Sequence, residues 1–129
     1  GLYNKARCEF FMGDFNSLKE TIYQFENEMY KVKNKRTLNY ILKFRKILKL
    51  LNAIAEKDKN LITEYYDIEV WNTSKATEGF VNFVKGIAAY NIDDKIEAIY
   101  RFKYVKENCS KMFIWELADK YLEDIKNDS

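Results

Sequence analysis

The sequence predicts an all-α protein built from antiparallel helical hairpins. Its 129 residues include no proline and only four glycines, apolar residues recur at steps of three and four, and polar breaks between these stretches are short. Sandwiches and barrels need glycine and proline at many corners, so this composition argues against a β fold. Because the breaks are short, each helix is expected to fold back beside the previous one.

Seven helices are expected, forming three hairpins and one final helix. The hairpins cover about residues 2–32, 37–71 and 76–107, and the final helix covers about residues 111–127. Leu38, Leu42 and Leu50 fall outside the main apolar stripe of the longest helix, so we expect neighbours on two of its sides. An apolar content of 47% supplies the core of a single domain over residues 1–129.

The residue types that most enzymes use are poorly represented. The chain has no histidine, and its two cysteines, Cys8 and Cys109, are too far apart in sequence for a metal or redox motif. No phosphate-binding glycine loop is present, and the adjacent Asp93-Asp94 is better explained as a helix cap. We therefore expect no enzymatic activity, no catalytic residues, no metal and no cofactor.

No apolar run is long enough to cross a membrane. Gly1 stands where an initiator methionine would, so we expect the chain to be part of a longer protein, and an upstream signal or anchor stays open. The compartment is unknown from the sequence, with the cytoplasm favoured.

The charge is concentrated in one segment, residues 31–49, which we call the basic segment. It contains no acidic residue and eight cations: Lys31, Lys33, Lys35, Arg36, Lys43, Arg45, Lys46 and Lys49. The rest of the chain has a net charge of −6. These cations suit an acidic peptide, phosphates or an anionic membrane surface. Alternatively, they are solvated or pair with acids such as Glu64, Asp67 and Glu69. The overall charge of only +2 and the lack of a recognition motif argue against nucleic acid.

Two hairpins resemble the tetratricopeptide repeat. In the third hairpin, Gly86, Ala98, Phe102 and Val105 match the family's small and aromatic positions around the turn Asp93-Asp94. The first hairpin is similar around the turn Gly13-Asp14, with Ala6 before it and Leu18, Ile22 and Phe25 after it, although Leu18 replaces a small residue. Asp14 and Asp94 are 80 residues apart, two units of 40 instead of the family's usual length of about 34. An unrelated antiparallel helical bundle is the alternative.

The resemblance implies a right-handed superhelix of stacked hairpins with a C-terminal capping helix. It also implies that the first helices of the hairpins line a concave groove for a protein or peptide. By resemblance, the groove would contain Tyr3, Arg7, Phe10, Phe83, Ile87 and Tyr90, and the basic segment would add Arg45 and Lys49. An acidic, amphipathic partner fits these residues.

Two alternatives stay open. The chain could be a regulatory or anionic-surface-binding helical domain that uses the basic segment. It could also self-associate through Leu38, Leu42, Leu50 or Trp115.

Overall fold

The part of the chain that the computed structural model describes, residues 1–69 and 74–128, contains seven α-helices and no strand. The helices are α1 (Leu2–Met12), α2 (Phe15–Met29), α3 (Lys35–Ala55), α4 (Lys59–Tyr65), α5 (Lys75–Asn91), α6 (Lys95–Asn108) and α7 (Phe113–Asn127). The predicted all-α class and the seven helices are confirmed. Superhelical stacking stays a prediction, and the predicted end of the second hairpin near Trp71 lies outside the described residues.

The chain divides into two compact units, Gly1–Ile68 and Glu69–Ser129. In the first unit, α1 packs against α2, both helices contact α3, and α3 packs against α4. In the second unit, α5 packs along α6, and α7 contacts both of them. The expectation of one domain over residues 1–129 stays a prediction.

The same turn joins α1 to α2, α3 to α4 and α5 to α6. Each first helix ends at a residue in the left-handed region: Gly13 with φ 72°, Lys57 with φ 54° and Asp93 with φ 64°. The next residue, always an aspartate, donates its backbone N–H to the carbonyl five residues earlier, at 3.0 Å for Asp14, 3.3 Å for Asp58 and 2.9 Å for Asp94. This is the Schellman motif, which satisfies carbonyls at a helix end.

The same three aspartates also begin the following helices. The side chains of Asp14 and Asp94 accept from the backbone N–H three residues later, each at 3.2 Å, and Asp58 accepts from the N–H groups of Asn60 and Leu61, each at 3.1 Å. A carboxylate at this position caps otherwise unpaired N–H groups of the first turn. One left-handed residue and one aspartate thus end a helix and start the next.

This turn sets a common register in the three hairpins. Three equivalent positions are buried in every copy. Ala6, Leu50 and Gly86 lie eight residues before the aspartate, Glu9, Ala53 and Ala89 lie five residues before it, and Leu18, Ile62 and Ala98 lie four residues after it. Leu50, one of the residues outside the predicted stripe of α3, is therefore a core residue at a repeated position.

The α5–α6 hairpin is packed closely around Gly86. A Cβ atom built on Gly86 would lie 2.7 Å from Cε1 of Phe102, so only glycine fits beside this ring without rearrangement. The Phe102 ring in turn stacks on Tyr121 of α7, with centroids 4.8 Å apart and planes 10° apart. Gly86 and Phe102, the small and aromatic positions noted in the sequence, therefore form one packed contact.

Candidate functional site

An aromatic cluster lies where α1 meets α3, and we call it the aromatic face: Tyr3, Arg7, Tyr40 and Phe44. The ring centroids of Tyr3 and Phe44 are 4.6 Å apart in an edge-to-face arrangement, and those of Tyr40 and Phe44 are 5.1 Å apart. The guanidinium of Arg7 lies 5.7 Å from the Tyr3 ring centroid, within cation–π range. Tyr40 is 50% exposed, so this cluster reaches the surface.

Tyr3 is held in its neutral form. Burial raises the pKa of its phenol to about 12, although the positive charge of Arg7 opposes the shift. The half-buried Tyr3 therefore contributes an uncharged ring at the inner end of the aromatic face.

Arg45 and Lys49 of the basic segment share one carboxylate on α2. Nε and Nη2 of Arg45 lie 3.3 and 3.1 Å from Oε2 of Glu26, and Nζ of Lys49 lies 3.2 Å from Oε1. Burial opposes ionisation, but hydrogen bonds and positive charge from Arg45 and Lys49 bring the pKa of Glu26 below its usual value. The two predicted site cations thus lie together, and the carboxylate compensates only one of their two charges.

The remaining cations of the basic segment are more accessible. Lys31 pairs with Glu28 at 3.2 Å on the exposed surface. Lys33, Lys35, Arg36 and Lys46 are also exposed, and none of them forms an ion pair within residues 1–69 and 74–128. The first turns of α3 and the loop before it therefore present positive charge to solvent.

The predicted residues on α5 are mostly interior. Phe83 is 1% exposed and Ile87 is 5% exposed, because α5 is buried at every residue from Gly79 to Ala89. The Phe83 ring makes edge contacts with Phe102 and Tyr121 inside the second unit, at 5.9 and 6.1 Å. A partner that binds at the surface therefore does not reach these two side chains in this structure.

Tyr90, at the end of α5, is only partly buried. Its hydroxyl donates to Oδ2 of Asp128 at 2.7 Å. That hydrogen bond, with burial and the negative charges of Asp128 and Asp124, raises the pKa of Tyr90 to about 12. Tyr90 thus ties the end of α5 to the end of the chain.

Phe10, the remaining predicted residue, lies beside the first turn. Its ring centroid is 5.7 Å from that of Phe11 and 6.4 Å from that of Phe15. Phe15 is 39% exposed and Met12 is 72% exposed, so the tip of this hairpin is apolar. Phe10 thus belongs to a separate cluster from the aromatic face.

Trp115, a candidate for self-association, packs within the second unit. Its indole N–H donates to the Lys106 carbonyl at 3.0 Å, and the Lys106 ammonium lies 3.0 Å from the ring centroid. Nζ of Lys106 also pairs with Asp119, at 3.0 Å. The indole is therefore already engaged on both its polar edge and its face.

Sequence reasoning missed three features of the site. Tyr40 and Phe44 were not among the predicted site residues, although their spacing of four residues places them on one helix face. Nothing in the sequence marked Glu26 as a partner of the basic segment, because its ion pairs join two different helices. Arg45 and Lys49 pair with Glu26 and not with the acids proposed from the sequence, Glu64, Asp67 and Glu69.

Comparison with known proteins gave no match: no family model, no curated protein and no solved structure is significantly similar to this chain. Within the described residues, no three or more His, Cys, Asp or Glu side chains group as metal ligands would. No helix among the described residues has the length and hydropathy needed to cross a bilayer.

Proposed function

We propose that this chain is a non-enzymatic, tetratricopeptide-like module that binds a protein or peptide through the aromatic face and the basic segment. The observation that carries the proposal is the aromatic face itself, a surface-reaching cluster of rings from α1 and α3, where α3 also carries exposed cations. Large aromatic side chains and arginine are the residue types that dominate binding energy at protein interfaces.

The repeated turn supports the tetratricopeptide-like part of the proposal. Three hairpins that each have a left-handed residue at the same turn position, a capping aspartate after it and the same buried positions are expected of a repeat and not of an arbitrary bundle. In such repeats the first helices of neighbouring hairpins line the binding surface, and α1 and α3 are the helices that carry the aromatic face.

The chemistry of this surface favours an acidic, amphipathic partner. Apolar side chains of the partner would pack on Tyr40 and Phe44. Its carboxylates would approach the exposed Arg36, which lies four residues before Tyr40 and therefore on the same face of α3. A helical segment with one apolar and one acidic face provides both groups at regular spacing.

The test is calorimetric binding of a synthetic amphipathic helix with glutamates on its polar face. Tyr40→Ala is expected to weaken binding about tenfold, and Arg36→Glu to weaken it several-fold. Tyr100→Ala and Lys103→Glu are matched controls, because Tyr100 is 60% exposed and Lys103 is exposed on α6. Equal effects of the test and control variants, or equal affinity for a lysine-bearing version of the peptide, would reject the proposed site.

A second candidate function is binding to an anionic lipid surface. It is favoured by the exposed Lys33, Lys35, Arg36 and Lys46, which form no ion pair in the described part of the chain. Vesicles that contain phosphatidylserine should then bind the protein, with an affinity that falls steeply as salt increases and that Tyr40→Ala leaves unchanged. Equal binding to neutral vesicles would contradict this candidate.

A further inference from the structure

A polar cleft of about 430 Å³ lies beside the contact of α1 and α2, away from the residues of the aromatic face. Its lining is Lys5, Glu9, Asn16, Ser17, Glu20 and Gln24. Five of these six side chains offer an oxygen acceptor, and only Lys5 is restricted to donating. The cleft is thus rich in acceptors for hydrogen bonds.

Glu9 is the unusual member of this lining. It is only 6% exposed, and its Oε1 is enclosed without a hydrogen-bond partner among the described residues. Buried carboxylates are normally paired or hydrogen-bonded, because an enclosed charge that has lost water and gained no donor is costly. This atom therefore needs a donor that the described chain does not supply.

Two of the donors near Glu9 do not pair with it. Lys5 lies one turn before Glu9 on the same helix, yet it is exposed and forms no ion pair within the described residues. The lysine-before-glutamate order is the weaker of the two orders at this spacing. The Ser17 backbone N–H is already donated to Asp14, at 3.2 Å.

We propose that this cleft binds an arginine side chain of another protein, with the guanidinium donating to Glu9. A guanidinium carries five N–H donors in a planar fork, which matches a carboxylate bordered by amide and hydroxyl oxygens better than an ammonium with three donors does. Its net charge also complements the lining, where the carboxylates of Glu9 and Glu20 outnumber the single lysine.

Because Oε1 of Glu9 is enclosed, binding of a guanidinium requires side chains at the rim of the cleft to move. Lys5, Glu20 and Gln24 are exposed, and their long side chains can change rotamer to admit a guanidinium. This site uses different residues from the proposed function and does not depend on it.

The experiment is an amide NMR titration of the whole chain with N-acetyl-arginine amide, and in parallel with the corresponding lysine and glutamate compounds. Saturable shifts are expected at Glu9, Ser17 and Glu20 with the arginine compound, with weaker shifts from the lysine compound and none from the glutamate compound. Glu9→Gln should reduce the affinity at least tenfold. Glu107→Gln, an exposed glutamate of α6, makes the same charge change away from the cleft and should leave the affinity unchanged.

Shifts that are absent, spread over the surface, or equal in the wild type and Glu9→Gln would overturn the proposal, as would tighter binding of the lysine compound. If Glu9→Gln fails to fold, Glu20→Gln on the exposed rim provides the same comparison, with a several-fold loss expected. Unchanged affinity in that variant would also overturn it.

Discussion

The hairpins α1–α2 and α5–α6 share one turn but differ in how tightly they are packed. In α5–α6, Gly86 lets the Phe102 ring approach the helix, and α5 is buried at every residue from Gly79 to Ala89. In α1–α2, Ala6 and Ile22 occupy the equivalent positions, and the polar Glu9 is enclosed without a partner for Oε1 among the described residues. The turn is thus set by local interactions, and it does not by itself determine how closely the two helices of a hairpin pack.

The largest expected difference between the hairpins comes from truncating the equivalent core residues Phe102 and Ile22. Phe102→Ala should lower the free energy of unfolding by about 3–5 kcal/mol, because a fully buried ring leaves a large cavity. Ile22→Ala removes fewer atoms and should cost closer to about 2 kcal/mol. Urea unfolding followed by circular dichroism measures both, and an equal or larger loss for Ile22→Ala would remove the proposed difference in packing.

Gly86→Ala tests the close approach directly. Alanine is the better helix former by about 1 kcal/mol, yet its methyl group would overlap the Phe102 ring, so we expect a net loss of about 1–2 kcal/mol. Adding Phe102→Leu to this variant should recover part of that loss. A stabilised Gly86→Ala protein in urea unfolding would show that helix propensity outweighs the contact.

The turns themselves differ at the left-handed residue, which is glycine in the first hairpin and Lys57 in the second. Lys57→Gly should raise the free energy of unfolding by about 0.5–1 kcal/mol, because glycine adopts φ 54° without strain. Lys46→Gly in the middle of α3 is the control and should lower it by about 1 kcal/mol. Thermal unfolding of the two variants distinguishes them, and a loss in both would contradict the role of the turn.

The smallest expected effects concern Tyr3 and Tyr90, whose pKa values are both raised to about 12 for different reasons. Since each folded-state pKa lies above the ordinary value of 10.0, the associated stability is complete below about pH 10 and is lost as the pH rises toward 12. Asp128→Asn should lower the pKa of Tyr90 and leave that of Tyr3 unchanged, as followed by NMR titration of labelled tyrosines. The variants Tyr3→Phe and Tyr90→Phe assign the two tyrosine signals. A changed pKa of Tyr3 in Asp128→Asn would contradict the conclusion that the two pKa shifts have separate causes.

The turns show how far local signals carry. Gly13-Asp14 and Asp93-Asp94 were recognisable from sequence because glycine and paired aspartates mark a helix end and a cap. Lys57-Asp58 was not, since lysine is not a residue that signals a left-handed backbone. The signal available in the sequence was the apolar Leu50 and Ile62, which lie at the same distances from Asp58 as the equivalent residues of the other hairpins lie from their aspartates.

The candidate site was predicted only in part. The basic segment follows from charge, whereas Tyr3 and Arg7 were expected only from the resemblance to the tetratricopeptide repeat. The structure places Tyr3 and Arg7 beside Tyr40 and Phe44. The burial of Phe83 and Ile87 could not be predicted from the sequence. Periodicity shows that a helix has an apolar face, but it does not show how many of the helix's faces are covered by neighbours.

The sequence by itself determined the all-α class, the seven helices and two of the three turns, because helix periodicity, caps and left-handed residues act over a few neighbouring residues. Only the tertiary structure decided that Glu26 joins Arg45 to Lys49 and that Glu9 borders a cleft. These contacts join separate helices, and their formation depends on packing and on the loss of water, which no local pattern records.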